Sequence, residues 1–177
     1  MGQTRRDLLR QVISHDGVTD SLTGLMAFPS FQVNAIREMA SAAREKRDLN
    51  LFLITLAEID ESGTSSPFMS PTRNLLDLGD DEVLAFADRM LQGANVLQKE
   101  FRLNDLLARY TFADFILLNT GTYEVISEKL AEYCRKYNSL FAGTKIDFRE
   151  LANSPSSLSF EGVLGRKIAI IEEAISR

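Results

Sequence analysis

Three acidic residues, Glu58, Asp60 and Glu61, follow an apolar segment and are candidates for metal ligands. Carboxylate oxygens are the ligands that Mg²⁺ and Ca²⁺ prefer, so the cluster could hold such an ion. The alternative is that these side chains form the solvated end of a strand. The spacing alone leaves both interpretations open.

His15 and Cys134 are the only histidine and cysteine in the chain, which excludes an internal disulfide and a zinc site built from these residue types. His15 precedes Asp16 and Gly17, a pattern typical of a turn at a helix end, and no motif ties it to a nucleophile. We expect a surface residue there rather than a catalytic base. Cys134 is predicted to be a half-buried structural thiol.

The sequence has 177 residues, of which 45% are hydrophobic and 25% charged, as expected for one folded core. A net charge of −5 and a pI of about 5.0 disfavour nucleic acid as a partner, because an acidic surface repels the phosphate backbone. No apolar run reaches the length of a membrane span, and the N-terminus lacks a secretory signal. We expect a cytoplasmic protein with no membrane contact and no cofactor.

The first half of the chain alternates helical and strand patterns. Apolar residues recur at helical spacing over residues 5–14 and 29–47, and Gly24 between them suits a left-handed turn. Residues 49–59 are apolar on both faces, as in a central strand covered by helices. Residues 61–72 are rich in Ser, Thr and Pro and predict a mobile loop.

The second half begins with a helix predicted over residues 81–101, followed by two apolar runs, residues 106–110 and 115–118. The runs flank residues 111–114, which is the pattern of a β-hairpin. The predicted buried side of the helix consists of apolar residues at helical spacing: Val83, Leu84, Phe86, Ala87, Met90, Leu91, Ala94 and Leu97.

A helix over residues 124–137, a strand over 144–148 and a loop over 153–157 complete the predicted elements. A last helix reaches the C-terminus through apolar residues at helical spacing: Ile168, Ile171 and Ile175. The order predicts a single α/β (α+β) domain with a central sheet of about five strands, mostly antiparallel, flanked by helices.

Three stretches of the sequence resemble the GGDEF domain, the diguanylate cyclase fold of bacterial second-messenger signalling. Residues 20–25, DSLTGL, are similar to the family's opening D-x-L-T-G-L. Residues 81–84, DEVL, resemble the family's G-D-E-V-L at the start of a helix, with Asp80 in the glycine position. Residues 102–115 match R-x-x-D-x-x-x-R-Y-G-G-D-E-F in length and in its Arg, Asp, Arg-Tyr and Phe positions. The resemblance implies a nucleotidyl cyclase-like fold.

The departures from this motif concern catalysis. Thr111 and Phe112 stand where the family has two glycines that let the backbone approach the GTP phosphates. Ala113 replaces an acidic metal ligand, and Asp114 stands in the next acidic position. Because nucleotidyl transfer between anionic substrates needs a divalent metal, we expect catalysis to be lost.

The first strand departs from the family as well. The position of a second metal-binding aspartate falls near Thr55, Ala57 or Ile59, none of which binds Mg²⁺, and the guanine-reading F-K-x-x-N-D string has no counterpart. With no partner carboxylate at Ala113, we interpret the acidic residues after this strand as its solvated end.

Arg102 and Asp105 occupy the family's R-x-x-D, which in many members binds cyclic di-GMP as an inhibitory site. A guanidinium can bind phosphate oxygens through two hydrogen bonds or stack on guanine, and a carboxylate can accept from guanine N–H groups. The alternative is structural, with Arg102 at a helix end and Asp105 capping a turn.

The resemblance therefore implies an N-terminal signalling or linker helix in residues 1–19 and a degenerate GGDEF-like domain in residues 20–177. We expect a catalytically inactive regulatory domain of cyclic di-GMP signalling that binds the dinucleotide at Arg102 and Asp105 and passes its state to a protein partner. The main alternative is a nucleotide-independent interaction or dimerisation domain. A residual cyclase is the third.

Overall fold

The computed structural model describes residues 5–59, 65–67, 78–101, 104–111, 113–140 and 144–152. The helices in these ranges are α1 (Arg5–Ile13), α2 (Phe28–Glu45), α3 (Asp80–Glu100) and α4 (Tyr123–Leu140). The strands are β1 (Met26–Ala27), β2 (Asn50–Ile59), β3 (Ser65–Pro67), β4 (Leu106–Arg109), β5 (Asp114–Asn119) and β6 (Thr144–Ala152).

All of these strands belong to one sheet, in which β2 is central. The hydrogen-bonded order is β1-β4-β5-β2-β3, and β6 pairs with β2 as well. Ala57 pairs with both Pro67 of β3 and Lys145 of β6, so β3 lies on the same edge of β2 as β5. The β1–β4 pair is parallel and the other pairs are antiparallel, which confirms the predicted sheet.

Helices cover both faces of the sheet, as the doubly apolar β2 predicts. Leu51 and Leu53 pack with Phe31 and Ala35 of α2 on one face. The other face of the sheet is formed by the alternate apolar residues of β2 and β5, such as Phe52. These side chains pack against α1, α3 and α4. Successive strand residues point to opposite faces, and each face meets its own helix layer.

Local sequence signals set the ends of the helices. Gly24 has φ +69°, as the predicted left-handed turn requires, and Pro29 lies in the first turn of α2. α3 begins at Asp80, where the Gly79 N–H donates to the Glu82 carboxylate at 2.8 Å. Three acidic residues in the first turn of α3 complement the helix dipole.

Two predictions of local structure are wrong. Leu84 and Leu91 of α3 are exposed rather than buried, because they lie to one side of the stripe formed by Val83, Phe86 and Met90. The segment 61–72, predicted as a loop, contains β3, whose backbone pairs with the end of β2. The predicted loop 153–157 and the last helix lie outside the described residues.

No helix in the described ranges is long and apolar enough to span a bilayer.

Candidate functional site

The hairpin formed by β4 and β5 contains the candidate residues at its two ends. Arg109 pairs with Phe115 across the strands, and the Tyr110 N–H donates to the Asp114 carbonyl at 2.9 Å. The turn at residues 111–114, which we call the tip, is therefore confirmed. Phe112 lies outside the described residues.

At the tip, the Asp114 carboxylate is buried and accepts hydrogen bonds from two threonines. The Thr55 hydroxyl donates to one oxygen at 2.7 Å and the Thr111 hydroxyl to the other at 2.5 Å. Thr55 lies directly opposite Asp114 in the β2–β5 register. Burial, with the nearby charge of Asp114, raises the pKa of Tyr110 to about 12. Both oxygens of the buried Asp114 carboxylate thus accept hydrogen bonds from uncharged hydroxyl groups.

The position before Asp114 is apolar and closed. Ala113 is buried, and its carbonyl accepts from the Leu56 N–H at 2.9 Å, so β2 packs directly on the turn. Thr55 and Ala57 flank this contact on β2. Within the described ranges, no group of three or more His, Cys, Asp or Glu side chains could hold a metal ion. The side chain of Glu58, and Asp60 and Glu61, lie outside those ranges.

A buried ion pair anchors the arm of the hairpin that leads to the tip. Arg109 Nη1 lies 3.3 Å from Asp20 Oδ2, and both side chains are almost completely buried. Asp20 Oδ1 also accepts from the Thr23 N–H at 2.8 Å and the Thr23 hydroxyl at 2.7 Å. The Asp and Thr of the D-x-L-T-G-L string therefore build one side of a charged hydrogen-bond network.

The guanidinium of Arg109 joins three parts of the chain. Nη1 donates to the Val12 carbonyl at the end of α1 at 2.5 Å, and Nε donates to the Thr111 carbonyl at 3.3 Å. Burial lowers the pKa of Arg109, and the attraction of Asp20 opposes that shift, but a guanidinium stays charged in proteins. α1, the opening turn and the hairpin are therefore held together by one cation.

At the opposite end of the hairpin, which we call the base, Asp105 is half-buried and Asn119 ends β5. The Asn119 amide donates to Asp105 Oδ1, and Asn119 Oδ1 accepts from the Gly121 N–H at 2.5 Å. The Asn50 amide donates to the Gly121 carbonyl at 2.7 Å. These contacts fix one oxygen of Asp105 to the ends of β2 and β5. Arg102 lies outside the described residues.

The remaining candidates are structural. His15 is exposed, as predicted, and its Nδ1 accepts from the Gly17 N–H at 3.1 Å. Cys134 is more deeply buried than predicted, and burial raises its pKa to about 12. A thiol with such a pKa is protonated at neutral pH and is a poor nucleophile.

Two residues at the hairpin ends, Thr55 and Asn119, were missed at the sequence level. Thr55 cannot ligate Mg²⁺, but a polar residue in an otherwise apolar strand is a signal for a cross-strand partner. Asn119 ends an apolar run in the same way. Their partners, Asp114 and Asp105, follow only from strand register and chain path, which the sequence does not specify.

No protein-family model and no curated protein matches the sequence. Solved structures do match it. The GGDEF domain of DgcB from Caulobacter crescentus, in complex with c-di-GMP, has 17% identity and a TM-score of 0.59, with 93% of this chain and 94% of that chain covered. The FimX GGDEF domain from Pseudomonas aeruginosa has 17% identity and a TM-score of 0.57, with coverage of 88% and 92%.

The diguanylate cyclase SiaD from Pseudomonas aeruginosa, in complex with its activator SiaC, has 17% identity and a TM-score of 0.55. The match covers 97% of this chain and 62% of that chain. At such identities the likeness concerns the backbone, and it agrees with the sheet and the hairpin described above. The chain therefore has the fold of the GGDEF domains.

Proposed function

We propose that this chain is a catalytically inactive GGDEF-like regulatory domain of cyclic di-GMP signalling. In this proposal, Arg102 and Asp105, of which Asp105 lies at the base, bind cyclic di-GMP, and the domain passes the bound state to a protein partner. The observation that carries the loss of activity is the environment of Asp114, whose carboxylate is buried between Thr55 and Thr111 and follows Ala113.

The chemistry of the tip supports inactivity. Transfer of a nucleotidyl group needs a divalent cation to stabilise the charge that develops on phosphate, and such a cation needs several oxygen ligands. Ala113 supplies none, and the Thr55 and Thr111 hydroxyls both donate to the Asp114 carboxylate. These residues do not fit a divalent cation, and we assign no catalytic step to it.

The test is a product assay with GTP and either Mg²⁺ or Mn²⁺, with an active diguanylate cyclase as the positive control. We expect no cyclic di-GMP from this chain. Restoring the turn with Thr111→Gly and Phe112→Gly should not restore activity, because Ala113 still supplies no carboxylate. Product that accumulates steadily and in proportion to the concentration of this chain would overturn the proposal.

Binding at the base is supported by exposure and chemistry. Asp105 is half-buried and exposed Asn104 precedes it, so a ligand can approach from solvent. An arginine and an aspartate are suited to phosphate and guanine, respectively. The DgcB domain, whose fold is similar, was crystallised with c-di-GMP. For a protein partner, the support is the complex of SiaD with its activator SiaC.

A second function, a nucleotide-independent interaction domain, is favoured by one contact. The Asn119 amide already donates to the Asp105 carboxylate, which is the environment expected of an aspartate that stabilises a turn. Titration with cyclic di-GMP separates the two functions, since only the first predicts binding that depends on Arg102.

A further inference from the structure

Two helices on opposite faces of the sheet each expose a pair of large apolar side chains. On α2, Val33 is 51% exposed and Ile36 59%; on α3, Leu84 is 52% exposed and Leu91 38%. Val33 and Ile36 lie one turn apart, and Leu84 and Leu91 lie two turns apart, so that each pair lies along one side of its helix. Such pairs offer apolar area for a contact between proteins.

The exposed pair on α2 lies next to positive charge. Arg37 and Arg44 are exposed, and no ion pair within 4 Å involves either of them within the described ranges. The acidic residues of the same helix, Glu38 and Glu45, both pair with Arg47, at 3.0 and 2.6 Å. We call the surface formed by Val33, Ile36, Arg37 and Arg44 the α2 face.

The exposed pair on α3 lies next to negative charge. Asp81 and Asp88 are exposed, and the partner of Asp88 is the neutral amide of Gln92, at 2.8 Å. The basic residues of this helix lie elsewhere, since Arg89 is half-buried near Tyr137 and Lys99 is in the last turn. We call the surface formed by Asp81, Leu84, Asp88 and Leu91 the α3 face.

The charges of the two faces have the same spacing. Arg37 and Arg44 are seven positions apart, as are Asp81 and Asp88. At a rise of about 1.5 Å per residue, each pair spans about 10.5 Å along its helix. If the helices pack antiparallel, Arg37 can meet Asp88 while Arg44 meets Asp81. In this register Val33 lies level with Leu91 to within one residue, whereas Leu84 lies about 7.5 Å along the axis from Ile36. Antiparallel packing also aligns the helix dipoles favourably.

A symmetric dimer through either face is disfavoured. Two α2 faces would bring arginines against arginines, and two α3 faces would bring aspartates against aspartates, which costs energy in a contact that excludes water. Within one molecule the two faces cannot meet, because α2 and α3 cover opposite faces of the sheet. The complement of each face is thus the other face of a second copy.

We propose that this chain self-associates head to tail, with the α2 face of one copy on the α3 face of the next. Two associated copies still expose an α2 face at one end and an α3 face at the other. Further copies can therefore bind at both ends, which produces an open chain or a ring. It needs no nucleotide and goes beyond the function proposed above. One helix pair offers less than the roughly 1,200 Å² of a standard interface, so association is weak and depends on salt.

The experiment is sedimentation of the whole chain over a concentration series, at low and at high salt. We expect the average mass of the wild type to rise with concentration beyond that of a dimer and to fall with salt. The variants Arg37→Glu/Arg44→Glu and Asp81→Lys/Asp88→Lys should each remain monomeric, with circular dichroism confirming that they are folded. An equimolar mixture of the two variants should associate again, because opposite charges then meet at each contact.

Three results would overturn this proposal. One is a wild type that stays monomeric up to its solubility limit, and another is an assembly that stops at a dimer. The third is a mixture of the folded charge-reversed variants that stays monomeric while the wild type associates. As a matched control, Lys129→Glu/Lys136→Glu on α4 reverses two charges outside both faces. This variant should associate with the same concentration dependence as the wild type.

Discussion

The two ends of the β4–β5 hairpin use an aspartate differently. At the tip, Asp114 is buried, and two hydroxyls donate to its two oxygens. At the base, Asp105 is half-buried and its Oδ1 accepts from the amide of Asn119. The aspartate at the tip stabilises the hairpin from inside, whereas the one at the base is reachable from solvent.

This difference indicates where a ligand could act on the fold. A buried carboxylate with donors on both oxygens contributes to stability, and removal of a donor leaves it under-satisfied. A half-exposed carboxylate held on one side by an amide has a fixed orientation, which favours recognition of a ligand. Changes at the tip should therefore alter folding, and changes at the base should alter binding.

The largest expected effect concerns the ion pair that anchors the tip. Arg109→Ala should lower the free energy of unfolding by about 3–5 kcal/mol, because it leaves the buried carboxylate of Asp20 without its cation. Denaturation with urea measures the change. Arg47→Ala, which removes two exposed ion pairs, should cost far less, because solvent screens them. Equal losses in the two variants would contradict the structural role of Arg109.

The next effect concerns ligand binding at the base. Arg102→Ala should weaken cyclic di-GMP binding roughly ten- to a hundredfold, since a charge-assisted contact to phosphate contributes about 1.5–3 kcal/mol. Arg102→Lys should also weaken it, because an ammonium lacks the planar fork of a guanidinium. Asp105→Ala should relax the discrimination between guanine and adenine dinucleotides. The control is Asn104→Ala, and an equal loss of affinity in that variant would count against the site.

A smaller effect is expected from the tip itself. Thr55→Val keeps the side-chain shape but removes a donor to Asp114, so the free energy of unfolding should fall by about 1–2 kcal/mol. Thr19→Val, at an exposed position, is the matched control and should change stability little. Cyclic di-GMP affinity should be the same in both variants. A loss of affinity in Thr55→Val alone would show that the two ends are coupled.

The smallest effect, which appears only at alkaline pH, comes from buried groups on α4. Burial raises the pKa of Cys134 from 9.0 to about 12 and also raises the pKa of Tyr133 and Tyr137. The unfolded chain then releases these protons at lower pH than the folded chain does. The contribution of these groups to stability should be constant below about pH 9 and fall between about pH 9 and pH 12. Urea unfolding at increasing pH measures this, and a rise over that range would contradict it.

Most of the backbone could be predicted from the sequence because its signals are local. The doubly apolar run of β2, the turn at Gly24 and the two runs around residues 111–114 each specify one element. The buried face of α3 could not be predicted in the same way, because Leu84 and Leu91 fit a broad apolar stripe and only packing shows that they lie outside it.

The contacts that define the candidate site could not be predicted in the same way. Asp20 and Arg109 are 89 positions apart, and Thr55 and Asp114 are 59 apart. Such pairs depend on strand register and on how α1 meets the hairpin. Motif resemblance placed Asp20 and Arg109 in matching strings, but it gave no reason for the charge of one to neutralise the other.

The most direct test of the different roles of tip and base is calorimetric titration of the purified chain, with cyclic di-GMP in one series and with GTP and Mg²⁺ in another. We expect saturable binding of cyclic di-GMP that Arg102→Ala weakens, and no binding of GTP with Mg²⁺. The different roles of tip and base would be contradicted by a flat titration with cyclic di-GMP well above micromolar concentrations. They would also be contradicted by binding of GTP with Mg²⁺ that variants of Ala113 and Asp114 alter.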